Sequence, residues 1–301
     1  MVKKGYGLLE QHIISLFDQE KKFIFEGKEY TVIIADKPRP SCGECKTDVY
    51  VLAIDNCKNK IELKISAKLK SSNEFQENKV NAARAEAYLG ENWAEIIAKA
   101  AYSIHEKFEE KHLIYVSKHH PTAANSITLG WKFEIASKPR ALSVKAPLTI
   151  DEVRNYVYKG TNQTEIKKHS FINKERIKNS GIADYLLISE IDELKTVDDI
   201  INNLILIDNY IPPETHFIFT ANNYRTKENK ADGPRPLAVY IKWSCKNKKL
   251  CHEICYDSPL KYTGENDIKP ILLNALDELC KYHPCDFDCN CDIENPNILL
   301  P

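Results

Sequence analysis

Residues 46–68 read KTDVYVLAIDNCKNKIELKISAK: a strand, a polar turn and a second strand in succession. Asp48 opens an apolar run with Val49, Val51 and Ala53 on one face and Tyr50, Leu52 and Ile54 on the other. Asn56 to Asn59 form the turn. From Lys60 to Lys68, Ile61, Leu63, Ile65 and Ala67 alternate with Glu62, Lys64, Ser66 and Lys68. Period-two alternation on both sides of a short polar turn predicts a β-hairpin.

Opposed residues of an antiparallel pair share one face of the sheet, so the centre of the turn chooses the partner of Asp48. A turn centred on Cys57 places Asp48 opposite Ser66, and one centred on Lys58 places it opposite Lys68. A centre between the two would put Asp48 opposite Ala67, on the apolar face. Glu62 and Lys64 project from the charged face nearer the turn. An acid at a strand start beside a lysine on the paired strand suits metal-assisted phosphodiester hydrolysis. The carboxylate holds a divalent ion, the ion neutralises the phosphate, and the lysine orients or activates water. The plainer reading is a solvated sheet face with alternating charges.

Asp48, followed after the turn by Glu62-Leu63-Lys64 or Ser66-Ala67-Lys68, resembles the PD-(D/E)xK signature of type II restriction endonucleases, with Thr47 where that motif has proline. The surrounding text, GKEYTVIIADKPRPSCGECKTDVYV (27–51), ISAKLKSSNEFQENKV (65–80) and AEAYLGENW (85–93), is similar to restriction enzymes that carry a KTDV strand and an SxK strand. The similarity covers residues 27 to about 190. It implies two registers. In the ExK register Asp48 and Glu62 ligate the metal and Lys64 is the catalytic lysine. In the SxK register Lys68 takes that role and the second acid comes from elsewhere. Restriction enzymes that read CCGG-type sites carry it on the helix after the strand. Arg84-Ala85-Glu86 is similar to their RxE, which makes Glu86 one candidate, and Glu77 is the other. The recognition text those enzymes carry before the helix is replaced here by KSSNEFQ (70–76). The hairpin geometry favours Lys68, with Asp48, over Lys64.

The chain has 301 residues, enough for one large domain or two. A hydrophobic content of 43% and a charged content of 28% are ordinary for a globular protein. With 42 basic and 43 acidic residues the net charge is near zero. That counts against a protein that coats nucleic acid, and less against an enzyme that concentrates positive charge in one cleft. The opening MVKKGYGLLEQHIISLF is interrupted by charge and by Gln11-His12, so it does not read as a signal peptide. No apolar run approaches the roughly 20 residues that cross a bilayer, and the expectation is a cytoplasmic protein.

Leu8, Leu9, Ile13, Leu16 and Phe17 predict a helix over 6–20, on which Glu10 and Glu20 read as solvated charges, although nucleases of the resembled superfamily sometimes use an acid from this helix. Strands are expected at 23–25 and 30–35, and the loop KPRPSCGECK brings Lys37, Arg39 and Lys46 near the proposed metal site. Helices are predicted over 77–89 and 92–109, and strands over 113–117 and from Thr128. Thr149 and Glu152 form a capping box for a helix over 149–159. The order predicts an α/β fold, a central mixed β-sheet flanked by helices in a restriction-endonuclease-like core. Residues 1–148 would form the catalytic core, and 149–301 a recognition and dimerisation region, unless both are one continuous domain.

Lys167, Lys168, Lys174, Arg176 and Lys178 are a basic cluster able to track a DNA backbone. Strands at 216–221 and 237–243 flank a polar loop. Asn222, Asn223, Arg225, Lys227 and Arg235 have the side chains that read base edges. His119 and His120, on an earlier loop, are further candidates for metal or DNA. Cys42 and Cys45 form CGEC, unrepeated within knuckle distance, and seven of the ten cysteines fall within residues 245–291 beside His252 and His283. That tail is a candidate structural Zn2+ site without the spacing of a standard finger.

The resulting expectation is a type II restriction endonuclease that cleaves double-stranded DNA with Mg2+ at a short specific sequence, as a homodimer. Its alternatives are a structure-specific repair or recombination nuclease and a non-catalytic DNA-binding protein.

Overall fold

The computed structural model describes residues 5–70 and 75–301; residues 71–74, within KSSNEFQ, lie outside it. The chain is mixed α/β and divides into two compact units, each made of two separate segments. The first unit comprises Met1–Glu74 and Leu148–Pro213, the second Phe75–Pro147 and Glu214–Pro301. At Leu148 the chain returns to its first unit. The contiguous halves read from the sequence are not the observed units.

In the first unit, helix α1 (Gly5–Glu20) precedes strands β1 (Lys22–Phe25), β2 (Lys28–Asp36), β3 (Val49–Asp55) and β4 (Lys60–Lys68). They form a six-stranded mixed sheet completed by Tyr185–Ile188 and Leu204–Leu206. The turn between β3 and β4 is centred on Cys57, since Val49 pairs with Ile65 and Ile54 with Lys60. Asp55 makes that turn: its carboxylate accepts from the backbone N–H groups of Cys57 (2.9 Å) and Asn59 (2.8 Å), with Lys58 left-handed at φ 65°. A three-residue loop closing through a left-handed residue is a common hairpin connection.

Val49, Val51, Ala53, Leu63, Ile65 and Ala67 face a core shared with Leu9, Ile13, Leu16 and Phe17 of α1. Fully burying each valine, leucine or isoleucine among them contributes about 1.5–3 kcal/mol, which fixes the register against a one-residue slip. Tyr185–Ile188 pairs with β4 in parallel. A parallel partner needs a long crossover, so the chain must leave the sheet after β4 before it can return. The capping box of Thr149 and Glu152 starts the helix Ile150–Glu152 as expected, and the helix continues as a π-helix over Val153–Lys159.

The second unit is built on Ser126–Ala136, a strand buried along its whole length. His216–Arg225 and Leu237–Lys246 flank it, with Lys249–Cys255 beyond the latter. At Gly130, φ is 152° and a Cβ would overlap the Val239 carbonyl oxygen, so only glycine allows the strands to approach there. Two expected helices are shorter than their apolar periodicity suggests. The first is Ala82–Leu89, because Gln76–Glu77 pairs as a strand with Ile135–Ala136. The second breaks into Trp93–Tyr102 and His105–Glu109. Among the described residues no helix is long and apolar enough to cross a membrane.

Candidate functional site

Asp48 precedes β3, and its N–H donates to the Ile65 carbonyl (2.8 Å), which sets it opposite Ser66. Its Oδ2 accepts from the Ala67 N–H (2.9 Å) and the Ser66 hydroxyl (3.3 Å). The carboxylate is thus held by the strand that bears the SxK lysine. Lys68 lies two residues beyond Ser66 and projects from the same face as Ser66 and Asp48. Among the described residues Lys68 has no ion-pair partner.

The other registered residues are engaged elsewhere. The Tyr50 hydroxyl donates to Glu62 at 2.6 Å, and burial with the Glu62 charge pushes that phenol well above its usual range. Glu62 opposes Leu52, four residues along the strand from the position of Asp48, or about 13 Å at strand rise. Asp48 and Glu62 therefore do not converge on one ion, which removes the acid pair of the ExK register. Lys64 forms an ion pair with Asp184 at 2.8 Å, its side chain only 12% exposed. With Tyr50 and Ser66 buried on the same face, this is not a solvated row of alternating charges.

Asp48 acts electrostatically on Glu10, which the sequence presents chiefly as a solvated charge. Glu10 is 9% exposed and accepts a hydrogen bond from Lys37, which follows β2. Burial raises the Glu10 pKa most, and the charges of Asp48 and Glu44 add to it, against the opposing effect of Lys37. Burial acts to lower the Lys37 pKa, but the hydrogen bond and charge of Glu10, with Asp48 and Glu44, raise it overall. Lys37, Arg39, Gly43, Glu44, Cys45, Thr47 and Asp48 line a recess of about 140 Å³. A signal for Glu10 exists in the sequence: at about 100° per residue it sits on the flank of the apolar stripe, next to Phe17 rather than opposite it.

Glu77 and Glu86 belong to the second unit. Glu77 is ion-paired with Arg84 at 2.5 Å, and Glu86 is exposed on Ala82–Leu89. Neither is part of the first unit that holds Asp48.

The expected base-reading set divides by burial. Asn222 is fully buried and donates to the Gly233 carbonyl (3.1 Å). Asn223, 7% exposed, accepts from Thr128 (3.0 Å) and donates to Asp232 (3.3 Å). Both lie on the strand His216–Arg225 rather than on a loop, so they have no free edge to present to a duplex. Arg225 is paired with Asp232 at 2.8 Å, and Arg235 with the buried Glu134 at 2.9 Å. Lys227, His119 and His120 are exposed. The Thr226 N–H and hydroxyl both donate to the Asn125 carbonyl, fastening the Lys227 turn to the loop that follows the two histidines.

All ten cysteines are free thiols, and among the described residues no group of three or more His, Cys, Asp or Glu could hold a metal ion. The cysteines and histidines of the tail are thus not gathered into such a group among the described residues. Cys245, Cys251 and Cys255 are spaced along two strands, while Cys280, Cys285, Cys289 and Cys291 occupy the segment after the last long helix. No family model, no curated protein and no solved structure matches the chain.

Proposed function

We propose that the chain is a Mg2+-dependent endonuclease of the type II restriction class, acting on double-stranded DNA as a homodimer, with a restriction-endonuclease-like core in its first unit. The observation that carries this is Asp48, tied to the SxK strand at Ala67 and Ser66, with Lys68 on the same face and without an ion-pair partner among the described residues, and a second buried carboxylate, Glu10, within its field. Two hard oxygen donors fit Mg2+, which keeps several waters and is completed by substrate phosphate oxygens. A bound ion would neutralise the phosphate and acidify the attacking water.

On this reading Asp48 and Glu10 hold the ion, Lys68 orients the water, and Lys37 screens the two acids from each other. Cutting both strands calls for two such sites, hence a symmetric pair of chains. Plasmid and phage DNA incubated with the protein and Mg2+ should give discrete fragments that EDTA suppresses. Cleavage confined to branched or mismatched duplexes would instead favour a structure-specific nuclease, and a shift of DNA without cleavage a binding protein.

Two variants follow. Tyr50→Phe should lose about 1 kcal/mol of stability in urea melts and keep cleavage, whereas lost cleavage would restore Glu62 as a ligand. Glu10→Gln tests the acid pair. Because the Glu10 pKa is raised in the fold, its protonated form stabilises the protein below the usual carboxylate range. That contribution disappears as pH rises through the raised value. At pH 7.5 in EDTA the variant should melt at or above the wild type, yet lose most of the melting-point rise that Mg2+ gives the wild type. An undiminished rise would remove Glu10 from the metal site.

A further inference from the structure

The recess beside Asp48 has an extension that the proposed cleavage chemistry does not use. Within the first unit, Phe171–Ile172 and Glu175–Arg176 form a two-residue hairpin whose tip, Asn173 and Lys174, has φ 46° and 72°. Two successive left-handed residues define the mirror-image turn that joins hairpin strands, in which the second position is ordinarily glycine. Here that position is Lys174, a long charged side chain at a backbone conformation that disfavours it.

The hairpin is fastened to the rim of the recess. Arg39 N–H donates to the Phe171 carbonyl (2.9 Å) and Phe171 N–H to the Arg39 carbonyl (3.1 Å). Close by, Gly181 has no space for a Cβ, which would overlap the Lys167 carbonyl and meet Cys45. Arg39 is thus opposed to Phe171, and Phe171 to Arg176, so the three side chains share one face. All three are exposed, Phe171 at 39%. An exposed aromatic side chain flanked on its face by two arginines, of which Arg176 also donates to the His169 (3.1 Å) and Glu165 (3.4 Å) carbonyls, starts at a wall of the recess and matches a polyanion with planar bases. Glu165 is occupied by Lys168 and His169, and Glu175 projects from the opposite face of the hairpin.

We propose that Arg39, Phe171 and Arg176, with Lys174 at the tip, form a track for a DNA strand leaving the recess. The guanidinium and ammonium groups contact successive phosphates, and the ring stacks on a base or sugar without reading sequence. This rests on the nuclease reading for the choice of DNA.

The test is binding of a labelled DNA duplex of about 20 base pairs by the full chain in EDTA, across a salt series, with melting measured in parallel. Lys174→Gly should relieve the turn and raise the melting temperature, yet weaken binding and reduce the salt slope by about 0.9. A purely structural lysine would not move the two readouts in opposite directions. Phe171→Ala should weaken binding about fivefold or more. If the wild type binds and cuts DNA while both variants bind as it does, the track is wrong and the nuclease reading survives. If the variants weaken binding but no substrate is ever cut, the track stands and the nuclease reading falls. A wild type that neither binds nor cuts DNA overturns both.

Discussion

Lys68→Gln is expected to lower Mg2+-dependent DNA cleavage by about 10²–10⁴-fold, the usual contribution of a positioned proton-transfer group, with little change in stability. The reason is local. Lys68 ends β4 on the face that holds Asp48, and no ion pair within the described residues depends on it. Lys64→Gln is expected to behave in the opposite way. Its ammonium neutralises Asp184 in a setting where the lysine is only 12% exposed, so the substitution strands a partly buried carboxylate and costs stability. Cleavage by the refolded variant should persist. Rates from single-turnover assays, set beside urea melts of both variants, separate the two lysines. Loss of cleavage at Lys64 with retention at Lys68 would transfer the role to the ExK register.

Arg235→Ala is expected to destabilise the second unit by about 3–5 kcal/mol, the cost of leaving a buried charge without its partner. Glu134 is 2% exposed and is held by Arg235 (2.9 Å), the Thr220 hydroxyl (2.8 Å) and Gln76. Arg235 also donates to the Asn78 carbonyl, so one guanidinium ties three segments of the unit together. Replacing both partners, Arg235→Met with Glu134→Leu, should recover part of the loss, because no buried charge is left unpaired although Thr220, Gln76 and the Asn78 carbonyl lose a partner. Thermal melts of the single and double variants measure this. A single variant as stable as the wild type but altered in sequence preference would return Arg235 to the role of a base reader.

The hairpin was legible because its evidence is local. Alternation over residues 48–68, a polar turn and an aspartate able to close it fix the strand pairing to within one choice of centre, and the resulting position of Asp48 opposite Ser66 was one of the two expected. The capping box at Thr149 was legible for the same reason, since its partners are three residues apart. Asn222 and Asn223 were misplaced because the strand His216–Arg225 runs four residues further than its apolar segment. Polar residues at its end are buried by neighbouring strands and paired inside the protein, and composition alone reads such residues as a loop.

The sequence by itself determined the α/β class, the hairpin and the face on which Asp48 and Lys68 both project, since these depend on side-chain period and on residues near one another in the chain. Only the tertiary structure decided that Glu10 is buried against Lys37, that Lys64 is taken by Asp184, and that Leu148–Pro213 returns to complete the first unit. Those facts depend on burial and pairing between residues 27, 120 or more positions apart. Such pairings leave no periodic trace in a single chain, because a buried partner and a solvated charge are spelled with the same residues.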